Sequence, residues 1–79
     1  MRYAAIVEKG KRSYSAYIPD LPGCIATGKT AAETLSRLQS AARSHVEIML
    51  DDGEPVPDPQ TLCDYIDVSV AEPAGVGKS

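Results

Sequence analysis

Apolar and polar residues alternate toward both ends of the chain and recur at helical spacing in its middle. Ser13-Tyr-Ser-Ala-Tyr-Ile18 has a period of two, which predicts a half-buried strand. The preceding run, Arg2-Tyr-Ala-Ala-Ile-Val-Glu8, is too short for its periodicity to separate strand from helix. The turn residues Lys9-Gly10-Lys11-Arg12 decide for a β-hairpin, with Gly10 expected at positive φ at the tip. Pro19 removes a ladder donor and closes the second strand. Leu21-Pro22-Gly23-Cys24 then carries proline at the second position and glycine at the third, the order a type II turn requires. Asp20, just ahead, is placed to accept backbone N–H bonds. Cys24-Ile-Ala-Thr27 reads as a short third strand that Gly28 breaks.

Thr30-Ala-Ala-Glu33 has the spacing of a capping box, in which the hydroxyl accepts from the Glu33 N–H and the carboxylate reaches back. Leu35, Leu38, Ala42, Val46 and Met49 come next at steps of three and four, forming one apolar stripe. Gly53, after Asp51-Asp52, is a C-terminal stop. A helix over residues 31–50 would span about 30 Å. Prolines at 55, 57 and 59 make the next segment a stiff, extended return. Tyr65-Ile-Asp-Val-Ser-Val70 alternates again and predicts a fourth strand, with Ile66, Val68 and Val70 toward the core.

The expected fold is therefore an α+β domain over residues 1–70, in the order β-β-β-α-β. An antiparallel three-stranded hairpin sheet gains a fourth strand, and one long helix packs on one face. Residues 71–79, with Pro73, Gly75 and Gly77, are expected to be a loose tail. A single helix covers a single sheet face. The other is expected to carry some of Tyr3, Tyr14, Tyr17 and Tyr65, whose apolar bodies and polar tips suit an oligomer or partner contact.

Size and charge narrow the function. A chain of 79 residues makes one small domain that buries only about 60% of its unfolded surface. Self-association, as a dimer or tetramer, is expected to supplement such a core. No apolar run approaches the roughly 20 residues of a membrane span, and charge at Arg2 and Glu8 interrupts any secretory signal. Cys24 and Cys63 each stand alone, as buried or incidental thiols. A cytoplasmic setting is expected. From Met1 to Val46 seven bases (Arg2, Lys9, Lys11, Arg12, Lys29, Arg37, Arg43) face three acids (Glu8, Asp20, Glu33), a net charge of +4. From Glu47 to Glu72 there are eight acids and no base, a net charge of −8. An acidic face of that kind attracts a basic partner.

Candidate chemistry changes this picture little. Gly23-Cys-Ile-Ala-Thr-Gly-Lys-Thr30 spells the phosphate-loop pattern G-x-x-x-x-G-K-[ST]. However, Pro19-Asp-Leu-Pro22 precedes it in place of a buried strand, residues 24–27 favour an extended form, and Thr30 is needed as the helix cap. Nucleotide binding is not expected. The one histidine, His45, lies on the helix among Ala41, Ala42 and Met49, a boundary position. Serine, histidine and acid form no hydrolase signature, and the carboxylates crowd into one loop and the last strand. No enzymatic activity, cofactor or metal is expected. Lys9, Lys11 and Arg12 near strand tyrosines could contact RNA, although a pI near 4.9 opposes general affinity for a polyanion.

Three stretches together resemble the HicB-like antitoxin family: Tyr14-Ser-Ala-Tyr-Ile-Pro-Asp-Leu-Pro-Gly-Cys24, Gly28-Lys-Thr-Ala-Ala-Glu33, and Asp52-Gly-Glu-Pro-Val-Pro57. The resemblance covers roughly residues 3–70. It implies a degraded ribonuclease-H-like fold without the nuclease carboxylates. It also implies an antitoxin of a type II toxin–antitoxin system, neutralising a small basic, messenger-RNA-cleaving HicA-like toxin by covering its RNA-binding and catalytic surface. Glu47, Asp51, Asp52, Glu54 and Asp58 are the expected contact. Many members add a C-terminal DNA-binding domain. Nine residues after Val70 are too few for one, so no direct DNA binding is expected of this chain. The alternative is a stand-alone oligomeric binding domain without a toxin partner, with RNA as a possible ligand.

Overall fold

The computed structural model describes residues 1–71. Three short strands form an antiparallel sheet in the order β1-β2-β3: β1 (Ile6–Lys9), β2 (Tyr14–Tyr17) and β3 (Ile25–Gly28). One helix, α1 (Ala31–Asp51), comes after them and packs across one sheet face. The three strands and the helix are those the pattern predicts, with bounds shifted by a residue or two except at the start of β1. Residues 71–79, expected as a tail, lie outside the described residues apart from Ala71.

The register places Val7, Ala16 and Ala26 side by side beneath the helix. Alanine at two of these three places lets α1 approach β2 and β3 closely. The buried core is Ala16, Ile18, Leu21, Cys24 and Leu38, with Tyr3, Ala5, Val7, Ala41, Ala42 and Val46 packed around it. Leu21 and Leu38 are the largest apolar side chains fully withdrawn from water, each contributing roughly 1.5–3 kcal/mol. The helix lies mainly over β2 and β3 and meets β1 least. Leu35, on the predicted stripe, is consequently 42% exposed. It borders an open groove of about 550 Å³ between the helix and the N-terminal end of the sheet. Thr34, which is not apolar, takes the buried place one residue earlier.

Local chemistry sets each boundary. Gly23 has φ 86° and the Cys24 N–H donates to the Leu21 carbonyl at 3.1 Å, closing the predicted turn. Gly10 differs from expectation: its φ is not positive, and its N–H donates to the Ser13 carbonyl at 2.8 Å across a wider hairpin loop. At the helix start the Thr30 hydroxyl accepts from the Glu33 N–H at 3.0 Å. The Glu33 carboxylate reaches back one residue further than a capping box, to the Lys29 N–H at 2.8 Å, and also pairs with Arg37 at 3.1 Å. At the helix end Gly53 has φ 72°, with Gly53 N–H to Leu50 and Glu54 N–H to Met49, a Schellman closure.

The predicted fourth strand is not formed within the chain. Residues 65–70 pair with no strand, and Ile66, Val68 and Val70, expected to face the core, are 85%, 77% and 69% exposed. Alternation equips a segment to be a strand, but a ladder needs a free edge lying alongside. The chain leading there is tied down. Asp20 Oδ2 accepts from the backbone N–H groups of Gln60 and Thr61 at 3.0 and 2.9 Å, and Oδ1 accepts from the Thr61 hydroxyl at 2.9 Å. Asp20 thus fastens the proline-rich return across 40 residues of sequence rather than capping its own turn.

Two of these contacts can be tested directly. A Cβ on Gly28 would stand 2.7 Å from Thr34 Oγ1 and 3.1 Å from Thr34 N. Gly28→Ala should therefore cost about 1–3 kcal/mol in chemical denaturation. Thr34→Ala in the same chain should give back part of that loss; simple additivity would refute the clash. The backbone N–H bonds from Thr61 and then Gln60 hold the Asp20 carboxyl below its ordinary value. A lowered value means that the fastening is complete above the unfolded pKa of about 3.9 and lost as pH falls through the folded one. In an NMR titration the Gln60 and Thr61 amide shifts should track Asp20 protonation on that acid side. Asp20→Asn should abolish the shared curve.

Candidate functional site

The phosphate-loop spelling does not build a phosphate loop. Gly23 belongs to a turn and Gly28 to the end of a paired strand, so the two glycines lie at opposite ends of β3. The amides such a loop would aim at a phosphate are already engaged. Cys24 N–H goes to Leu21, Lys29 N–H to the Glu33 carboxylate, Glu33 N–H to the Thr30 hydroxyl and Thr34 N–H to the Thr30 carbonyl. Gly28 is required by proximity to Thr34, Thr30 by the cap, and Lys29 projects into solvent.

The acidic stretch forms an exposed surface at the far end of the helix. Glu47 lies in the last turns of α1, Asp51 is its final residue, Asp52 caps it, and Glu54 comes just after the glycine stop. Asp58 lies further along the return, beside Pro57, whose carbonyl accepts from the Tyr3 hydroxyl at 2.5 Å. Burial first, then the charges of Asp58 and Asp20, raise the Tyr3 phenol above its ordinary value. All five acids are exposed. Among the described residues the one ion pair is Glu33–Arg37, so none of the five is neutralised by a base. The last turn of α1 carries no basic residue. A helix C-terminus carries partial negative charge, which carboxylates there oppose. The sequence thus places Asp51 and Asp52 where they work against the helix.

The tyrosines do not share a face. The register puts Tyr17 on the sheet face away from the helix, in one row with Ile6 and Ile25, and Tyr14 in the row that ends at Gly28 beneath the helix start. Tyr3 packs against the core, and Tyr65 stands 96% exposed in the segment beyond the sheet. The Ile6-Tyr17-Ile25 row escapes a reading of the sequence alone. Its signal is the pair of small residues Ala16 and Ala26, which mark the opposite face as the one the helix covers.

The remaining candidates are quieter. Cys24 is buried, and burial pushes its thiol up; Cys63 is exposed. His45 is half-buried on the helix. Among the described residues no three of His, Cys, Asp or Glu gather to hold a metal, and no helix is long and apolar enough to cross a membrane.

Comparison with known proteins agrees with the fold. An uncharacterized 14.9 kDa protein in the rep-hol intergenic region of Haemophilus phage HP1 is 35% identical over 66 residues, 84% of this chain and 50% of the phage protein. The chain thus spans half the length of that relative. A UPF0150 protein of Thermoplasma acidophilum is 34% identical over 58 residues, covering 72% of this chain and 84% of the relative. Among solved structures, a chain of the HicA3 and HicB3 toxin-antitoxin complex superposes with a TM-score of 0.63 at 28% identity. That match covers 75% of this chain and 70% of the other. The N-terminal domain of the Burkholderia pseudomallei antitoxin HicB gives a TM-score of 0.60 at 27% identity, covering 77% and 69%. Residues 3–73 match the family described as HicB_like antitoxin of bacterial toxin-antitoxin system. The chain belongs to the HicB-like antitoxin family.

Proposed function

We propose that this protein is the antitoxin of a type II toxin–antitoxin pair, and that it binds a small basic HicA-like ribonuclease and covers its RNA-binding and catalytic surface. The observation that carries the reading is family membership across residues 3–73, supported by likeness to a chain of a HicA3–HicB3 complex. The family suggests a non-catalytic role.

The contact we assign is the acidic end of α1 and the loop beyond it: Glu47, Asp51, Asp52, Glu54 and Asp58. Five exposed, unneutralised carboxylates mimic the charge of an RNA backbone, and complementary potentials speed encounter with a basic protein. A carboxylate row that merely solvated the surface would not need to gather where the helix dipole disfavours it.

The test is co-expression with a small basic protein encoded beside this one, then size-exclusion chromatography and a ribonuclease assay. A heterocomplex without ribonuclease activity is expected; a toxin that stays free and active would overturn the assignment. Within such a complex, Glu47→Lys with Asp51→Lys and Asp52→Lys should slow association by about tenfold or more at low salt and flatten its salt dependence. The same triple variant should melt at a higher temperature, because lysine complements the helix C-terminus. Slower binding with greater stability separates a contact role from a structural one. Loss of both would show that these acids serve the fold.

A further inference from the structure

Charge is divided along the molecule, and its basic end takes no part in the contact assigned above. The ladder sets Lys9, Tyr14 and Gly28 side by side. The loop Gly10-Lys-Arg-Ser13 and Lys29, which follows Gly28, therefore lie at the same end of the sheet. Neighbouring strands run about 4.8 Å apart, so Lys9 and Gly28 are separated by roughly 10 Å. Lys9, Lys11, Arg12 and Lys29 are all exposed there. Among the described residues none of these four side chains is held by an ion pair or hydrogen bond; only the Lys29 backbone N–H is engaged.

The nearby acids do not neutralise this cluster. Glu33 is paired with Arg37 at 3.1 Å, and Glu8, opposite Ser15, lies on the other face of the sheet from Lys9 and Tyr14. The start of α1 adds partial positive charge at the same corner. The acidic stretch lies at the other end of a 21-residue helix, about 31 Å away. Exposed charges are screened over about 8 Å at physiological salt, so those carboxylates barely reach the basic end. A low overall pI thus does not decide what this end binds.

We propose that the hairpin loop and the β3–α1 joint form a second binding surface, which takes single-stranded RNA. Lys9, Lys11, Arg12 and Lys29 contact its phosphates, and Tyr14, half-buried in the row between Lys9 and Gly28, offers a ring against which a base stacks. Cations that track a backbone beside an aromatic platform are the recurring means of holding a single strand. A duplex keeps its bases stacked on each other and would use the charges alone. An anionic membrane fits less well, because residues 9–13 include no large apolar side chain to insert. The surface goes beyond the antitoxin reading: it is remote from the acidic contact and leaves that contact open.

The test involves no toxin. A labelled single-stranded RNA of about twelve nucleotides is titrated with the native chain and followed by fluorescence anisotropy between about 50 and 200 mM KCl. Four phosphate contacts on a single strand should give a slope of log K against log salt of about −3. Lys11→Glu with Arg12→Glu should weaken binding at least tenfold and flatten that slope. Arg2→Glu with Arg43→Glu, which makes the same change in net charge at the groove beside the helix, should leave binding within about twofold. Circular dichroism should show both variants folded, since all four side chains are exposed. An abasic strand of equal length, or a duplex, should compete at least fivefold less well than the single strand. No binding at low salt would overturn the proposal. So would equal losses from the two charge reversals, equal competition by the abasic strand, or tighter binding to phosphatidylglycerol vesicles than to RNA.

Discussion

The structure depends on one close approach. Gly28 ends β3 directly against the first turn of α1, where Thr34 is fully buried and its hydroxyl donates to the Thr30 carbonyl at 2.7 Å. No side chain fits at residue 28. Because the strand end and the helix start are joined there by two residues, the helix leaves the sheet at a set angle. It crosses β2 and β3 with Leu38 over Ala16, and meets β1 least. The Arg37 guanidinium, holding both Glu33 and the Thr27 carbonyl, braces the same corner from outside.

That placement has consequences at both ends of the helix. At the near end it consumes the amides and hydroxyls that a phosphate loop would have offered, so a nucleotide-binding spelling becomes a joint. At the far end the helix carries Asp51 and Asp52 away from the core into solvent, beside Glu54. That charge is unfavourable to the helix and unneutralised by any base among the described residues.

The core within the chain is small. Five apolar residues are buried among the described residues, while a greater number of large apolar side chains remain in water. The Asp20 carboxylate secures the return at Gln60 and Thr61.

Much of this was legible in the sequence, because it is written in local chemistry. Proline and glycine at 22 and 23 determine a turn, Thr30 determines the helix start, and Gly53 its end; each acts through backbone conformation or a hydrogen bond within a few residues. The acidic stretch is equally plain, since charge needs no fold to be counted. What only the tertiary structure decided involves residues distant in sequence. Asp20 could have bonded nearby amides, and proximity to residues 60 and 61 assigned it to them instead. The four tyrosines could not be assigned to faces until the register was known, because a shift of one residue exchanges the two sides of a strand. Tyr65–Val70 shows the limit most clearly. Its alternation determines that it can be a strand, but whether it pairs depends on where the chain leading to it is held, and residues 65–70 pair with no strand here.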